Sequence, residues 1–411
     1  MHCAEWLRLL VIPAMVSVIL GACGSSALAE TKITPAVILS QRYDSNVFLG
    51  PPEFVPGRQI WDLVTTAGAN VNVENKSRLG DSVLNVGVNG NVFAYNTDLS
   101  FVSTSVFAGS DLSGWMSELL PGLTFRVSDS FQYTPEPPAF LTGGKPGETS
   151  DVFSRGIQAV RANTFTNIFL ANADYSISRS VGLRTDYSHS FFKVGQIFIT
   201  TTAGVPVAFF DTQIHSVSTG PTYTFEGGET LFLKYNYMTG QTSGEGVTLP
   251  FSAHTLAPEY VSRILPGWLI TMSGGATIVE QAGNRTFFSG KLALAPSHDR
   301  PTQVRVSVSR QAAPAFFGAG GALISNIAQL SVSHRFSKVL LLTLSGNYAY
   351  NVSAPVDSFT FESVTGSALL EYKLTRSTTL GLSQEYNRYS YTGIVPFDRY
   401  ATILTLKTEW K

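Results

Sequence analysis

LEYKLTRSTTLGLSQEYNRYS, residues 370–390, decides what kind of protein this is. On one side of the Thr375-Arg376-Ser377 break, Leu370, Tyr372 and Leu374 alternate with Glu371 and Lys373. On the other, Leu380, Leu382 and Tyr386 alternate with Gly381, Ser383 and Glu385. A period of two places successive side chains on opposite faces of a strand. A soluble sandwich turns the apolar face toward a second sheet, whereas a transmembrane barrel turns it toward lipid and the polar face toward a wet lumen. Two strands do not separate these cases, and the rest of the chain has to.

The 411 residues carry a formal net charge of -1 and only 14% charged side chains, against about 25% in a soluble domain. Past the leader, no uncharged apolar run approaches the ~20 residues of a spanning helix. Few charges, 27 Phe, 16 Tyr and 5 Trp, and no membrane helix favour strands in lipid. The near-neutral balance, without a basic run, argues against a nucleic-acid partner. At the N-terminus Arg8 precedes the apolar stretch from Leu9 to Leu20, and Ala27-Leu28-Ala29 is a small-x-small cleavage site. Residues 1–29 therefore read as a signal peptide and 30–411 as a single barrel domain. Cleavage after Ala29 removes both Cys3 and Cys23, which excludes a disulfide framework and a thiolate site from the mature chain. Leu20-Gly21-Ala22-Cys23 also fits a lipoprotein signal, in which Cys23 becomes an acylated N-terminus.

From Thr34 onward the pattern predicts about eighteen strands, one of them over 116–133, in an all-β, antiparallel, up-and-down transmembrane barrel of outer-membrane type. Connections sort by length. One set is short, as at Arg179-Ser180, Gly227-Gly228 and Ser337-Lys338; the other includes long segments at 44–60, 134–159, 194–209 and 242–250. Short turns on one rim and long loops on the other are the two ends of a barrel in the outer membrane of a bacterium. The last strand ends with Tyr400, Leu404, Leu406 and Trp410 on one face, as in signals read by the barrel-assembly machinery, with Lys411 after the aromatic.

No catalytic, cofactor-binding or metal-binding motif is present. His189-Ser190 and His215-Ser216 are strand neighbours that point to opposite faces, and the remaining histidines lack ligand spacing. Gly318-Ala319-Gly320-Gly321 has no helix behind it to make a phosphate loop. The period places Arg126, Arg184, Lys234, Glu259, Lys291, Arg305, Arg335, Glu371, Glu385 and Lys407 inward as candidate lumen-lining residues, joined by Glu74, Asp174, Asp186 and Lys373. Such groups either pair to brace the wall or form rings that guide a solute. Phe191-Phe192 and Phe209-Phe210 are candidate sugar-stacking pairs, and 134–150, rich in Pro and Gly, is a candidate gate.

Two stretches carry a resemblance. SQRYDSNVFLGPP (40–52) with IWDLVTTAGANVNVE (60–74), and YKLTRSTTLGLSQEYNRYSYTGIVPFDRYATILTLKTEWK (372–411), resemble the β-barrel porin family associated with exopolysaccharide loci. That resemblance implies a passive pore exporting a polysaccharide or related biofilm polymer, with a periplasmic export component as partner. A small-solute diffusion porin and a structural or adhesion barrel are the alternatives.

Overall fold

The computed structural model describes residues 30–134, 161–197, 210–244, 246–265, 267–297, 300–315, 320–354 and 357–410. Residues 1–29, where a signal peptide is expected, most of the 134–159 segment, Phe209, Gly318-Ala319 and Lys411 lie outside them. In chain order the strands are β1 (Glu30–Asp44), β2 (Asp62–Lys76), β3 (Asp81–Phe93), β4 (Phe101–Asp111), β5 (Leu123–Thr134), β6 (Ala162–Ser176), β7 (Val181–Ile197), β8 (Asp211–Thr224), β9 (Thr230–Phe232) and β10 (Tyr235–Gly244). They continue with β11 (Val247–Leu256), β12 (Glu259–Leu265), β13 (Trp268–Glu280), β14 (Asn284–Pro296), β15 (Thr302–Pro314), β16 (Ala322–Arg335), β17 (Leu340–Ala354), β18 (Thr360–Lys373), β19 (Thr378–Tyr391) and β20 (Ile394–Glu409).

Strands pair antiparallel with their sequence neighbours, except that β9 pairs with β8 and β12, β10 with β8 and β11, β11 with β10 and β13, and β12 with β9 and β13. β1 meets β20 from Ala36–Glu409 to Asp44–Ala401, so the sheet closes. β9 and β10 hold one register against β8, and β11 and β12 hold one register against both neighbours. Each of these two pairs is one wall strand, interrupted where Pro258 supplies no N–H, and the wall has the eighteen strands that the alternation predicts. Its parity is continuous around the ring. Val37, Leu39, Val71, Val86, Leu330, Leu344, Leu370 and Leu404 face outward and are exposed, which is the apolar band a bilayer requires.

The turns after β2, β6, β8, β12, β14, β16 and β18 lie at the end that also holds Glu30 and Trp410, and so mark the periplasmic rim. Trp410 and Tyr372 are exposed there, and Tyr223, Phe225 and Tyr260 form an aromatic chain with centroids 4.8 and 6.5 Å apart. This is an aromatic girdle at the membrane interface. A closed barrel with such a band belongs in the bacterial outer membrane.

Two expectations about connections need correction. Residues 242–250 are not a long loop, because β10 and β11 run on to Gly244 and Val247 as a tight hairpin. The strand expected over 116–133 starts only at Leu123, since Ser113–Leu119 form an α-helix, α1. Trp115, Met116, Leu119 and Leu120 follow helical spacing. Gly114 lets α1 approach the β2–β3 turn, where a Cβ would sit 2.7 Å from the carbonyl oxygens of Arg78 and Leu79.

The parity supports a direct test. Leu344 faces lipid near mid-wall, and its neighbour Ser345 faces the lumen, its Oγ 2.6 Å from that of Ser367. Leu344→Arg is expected to cost about 2–4 kcal/mol and impair assembly, while Ser345→Arg assembles normally. Heat-modifiable migration of outer-membrane fractions reads both.

Candidate functional site: a lumen closed at one end

Inward-facing residues change character along the axis. In β18 the inward series runs Phe361, Ser363, Thr365, Ser367, Leu369, Glu371, Lys373; it is fully buried at the outer end and exposed at the periplasmic end. β17 repeats the gradient, from buried Ser353, Asn351 and Ala349 to exposed Ser345. The periplasmic half is thus a hydrated vestibule lined by hydroxyls and amides, and the outer half is filled. The expectation of a polar interior therefore holds for only one half of the wall.

Among the described residues, two segments fill the outer mouth. The first is the β1–β2 connection, which brings Val47, Phe48 and Val55 against inward Val64, Phe93, Phe361, Tyr389 and Phe397. Its root is a buried ion pair: Arg399 donates to Asp44 through Nε at 2.9 Å and Nη2 at 2.6 Å, both side chains being 1% exposed. Arg42 stands 3.6 Å from the same carboxylate. Asn46 then shapes the turn, accepting from Leu49 N–H and donating to the Gly50 carbonyl. At the far root Asp62 accepts from the backbone N–H groups of Leu63, Ala94, Tyr95 and Asn96 and from the Asn96 amide, at 2.7 to 3.0 Å. Arg161 lies over Phe93 (4.6 Å) and Phe101 (5.2 Å), and donates to the Val47 carbonyl.

The second is the tip of the β15–β16 hairpin, which leans across the lumen. Ala312, Ala322, Ile324 and Ala354 have the parity that faces lipid lower down. Here, with Ala354 on the adjoining β17, they pack against inward Ile214, Met238, Phe251, Ala253, Val279 and Phe287 of the neighbouring strands β8, β10, β11, β13 and β14. Leu323 and Ala313 turn the other way, onto the first plug. Gly321 N–H donates to Thr242 Oγ1 and Ala322 N–H to Gln281 Oε1, at 2.7 and 2.8 Å. Gly320 and Gly321 take φ of +64° and +71°, a region that favours glycine, so these two residues serve this crossing.

The register puts Arg126, Arg184, Glu259, Lys291, Arg305, Arg335, Glu371, Glu385 and Lys407 at inward parity. Lys234 occupies an inward position in the break between β9 and β10. They do not converge on one ring. Arg126 pairs with Asp111 (2.9 Å), Arg184 with Asp174 (2.6 Å) and Lys407 with Glu409 (2.6 Å), while Arg305 donates to Gln303. Such pairs brace the wall and neutralise Arg126, Arg184 and Lys407. Neither Phe192 nor Phe210 offers a stacking face, as both are buried.

Sequence reasoning missed both plugs and one feature of the outer surface. Asp129, Asn167, His189, Gln213, His215 and His254 all face outward on β5–β11, although the period-two argument assigns that face to apolar groups. They satisfy one another: Asn167 donates to Asp129 at 2.7 Å, Gln213 meets His189 at 3.2 Å, Tyr187 meets His215 at 2.9 Å and Tyr235 meets His254 at 2.8 Å. His189 and His215 stack with centroids 4.6 Å apart, while their neighbours Ser190 and Ser216 face inward, so no nucleophile–base pair forms there. Among the described residues no cluster of three or more His, Cys, Asp or Glu could hold a metal.

No protein-family profile matches the chain, and no characterised relative does. Among solved structures, OccK9 (OpdG) of Pseudomonas aeruginosa is 9% identical, with a TM-score of 0.45, over 93% of this chain and 99% of that one. A BenF-like porin of Pseudomonas fluorescens is 10% identical, with a TM-score of 0.43, over 92% and 99%. The siderophore receptor PirA of Pseudomonas aeruginosa is 8% identical, with a TM-score of 0.44, over 92% and 80%. The closed antiparallel barrel rests on the chain's own register.

Proposed function

We propose that the protein is a gated passive channel for small hydrophilic solutes. The observation that carries this reading is the polar vestibule, open to the periplasmic side and sealed outwardly by two packed segments. Neutral hydroxyl and amide linings exchange hydrogen bonds with a hydrated solute at little net cost, each worth about 1 kcal/mol. The mutual pairing of Arg126, Arg184 and Lys407 with carboxylates leaves no strong charge selection.

Export of an exopolysaccharide, which the resemblance implies, asks more of this mouth. A polymer chain in transit holds its aperture open throughout, so both the β1–β2 plug and the β15–β16 tip would have to stay displaced. A small solute needs only brief openings. Proteoliposome swelling with a series of sugars separates the readings: monosaccharides are expected to permeate and oligosaccharides to be excluded. Loss of surface polysaccharide in the deletion strain, with polymer accumulating inside, would reverse the assignment in favour of export. Swelling by no sugar at all would favour the structural barrel.

A further inference from the structure

The wall has a weak seam. β14 and β15 are paired only from Leu294–Val306 up to Gly290–Arg310. Above that point β14 continues against β13 to Asn284, and β15 continues against β16 to Pro314. The two edges therefore part where β15 begins to lean inward. From Pro296 to Gly290 the strand climbs about 15 Å, at about 3.3 Å per residue and about 40° of tilt. In an apolar band about 25 Å tall, the parting starts near the middle and runs through the outer-leaflet half.

The lips are apolar on both sides: Val279 and Phe287 on the wall, Ala312, Ala322 and Ile324 on the leaning tip. At the foot of the seam Arg310 has outward parity and is exposed. Its guanidinium lies 5.6 Å from the Phe287 ring, and its Nη1 donates to Asn326 at 3.2 Å. A cation facing the bilayer at that depth is costly, and an anionic partner there offsets the cost. The seam is also lightly held. Apart from the apolar cluster, the polar fastenings among the described residues are two hydrogen bonds donated by Gly321 and Ala322 N–H and the Arg285–Asp357 ion pair, whose carboxylate is exposed. The axial plug, by contrast, is rooted in a buried ion pair. An acyl chain sliding between the lips replaces apolar contact with apolar contact, whereas a glycan would have to shed its water.

From these features we infer that the β14–β15 seam is a lateral portal, through which a single-chain anionic amphiphile passes between the outer mouth and the outer leaflet, with Arg310 taking its head group. This goes beyond the hydrophilic channel and does not depend on it.

The test uses whole cells carrying the barrel and a fluorescent dodecanoate probe. Uptake is expected to exceed that of cells without the barrel at least fivefold. In the Arg285→Cys/Asp357→Cys variant, a short bismaleimide staples the seam from outside, and uptake should fall at least fivefold. A monomaleimide on the same variant should leave it unchanged, which controls for folding. With purified barrel, Arg310→Gln should weaken dodecanoate binding about tenfold without affecting dodecanol. Competition by dodecyl phosphate then ranks phosphate against carboxylate heads. Equal uptake by stapled and unstapled cells, uptake no greater than without the barrel, or an Arg310→Gln protein that still prefers dodecanoate to dodecanol would each overturn the portal.

Discussion

Asp44→Ala is expected to unlock the outer mouth. Asp44 neutralises Arg399 through two hydrogen bonds in a fully buried site, with Arg42 at 3.6 Å, and also accepts from the Asn46 N–H that starts the plug. Removing the carboxylate leaves two neighbouring guanidinium groups without it. Breaking one side of a buried ion pair costs about 3–5 kcal/mol, which is comparable to what a short loop gains by packing Val47, Phe48 and Val55. The plug should therefore spend much of its time displaced. Single-channel recordings should show long openings where the parent shows brief ones, and the heat-modification midpoint should fall. Asp398→Ala provides the control: its side chain is exposed and contacts the Tyr386 hydroxyl on the outer face, and it should change neither. Unaltered conductance in Asp44→Ala would mean that the β1–β2 segment does not gate.

The wall was legible in the sequence because a bilayer and a wet lumen impose opposite demands on alternate residues, and Leu370 to Tyr386 obey both. Strand number and rim polarity follow from the same constraint through turn lengths. The plugs were not legible, and the reason is physical. Val47, Phe48 and Val55 have no period because a segment crossing a lumen has no repeating face. Inward Val64, Phe93 and Phe361 look out of place in a polar series until the plug that covers them is known. Arg399 and Asp44 are 355 residues apart, and only barrel closure brings them together. Ala312 and Ile324 keep the parity of lipid-facing residues while facing protein, since leaning a hairpin inward changes the environment of a face without changing its alternation. In α1, by contrast, the helical spacing of Trp115, Met116, Leu119 and Leu120 was present, and the expectation of a strand overrode it. The outward polar groups around Asp129 and His189 evade the binary rule because neighbours on adjacent strands satisfy them, and adjacency depends on register.

The second large effect is expected at the leaning hairpin, from Ile324→Asp. Ile324 is 1% exposed and sits among Ile214, Met238, Phe251 and Val279. An ionised carboxylate there would have no water and no cation in the surrounding apolar contacts, and its effective desolvation penalty is several kcal/mol. The hairpin has an alternative that a core strand lacks. Above the β14–β15 parting, among the described residues, it is held to β8–β14 by the apolar cluster around Ile324 and two hydrogen bonds, with no ladder to β14, so it can withdraw instead of unfolding the barrel. The expected result is a barrel that still assembles and migrates heat-modifiably but conducts several times more than the parent. Ile324→Val removes one methylene, costs about 1 kcal/mol and should stay closed. Acidification should reverse the effect. The introduced carboxyl is buried far more cheaply when protonated, so conductance of Ile324→Asp should fall back toward that of the parent as pH drops, and rise again at neutral pH. A pH-independent conductance equal to the parent's would show that the hairpin tip does not obstruct the lumen.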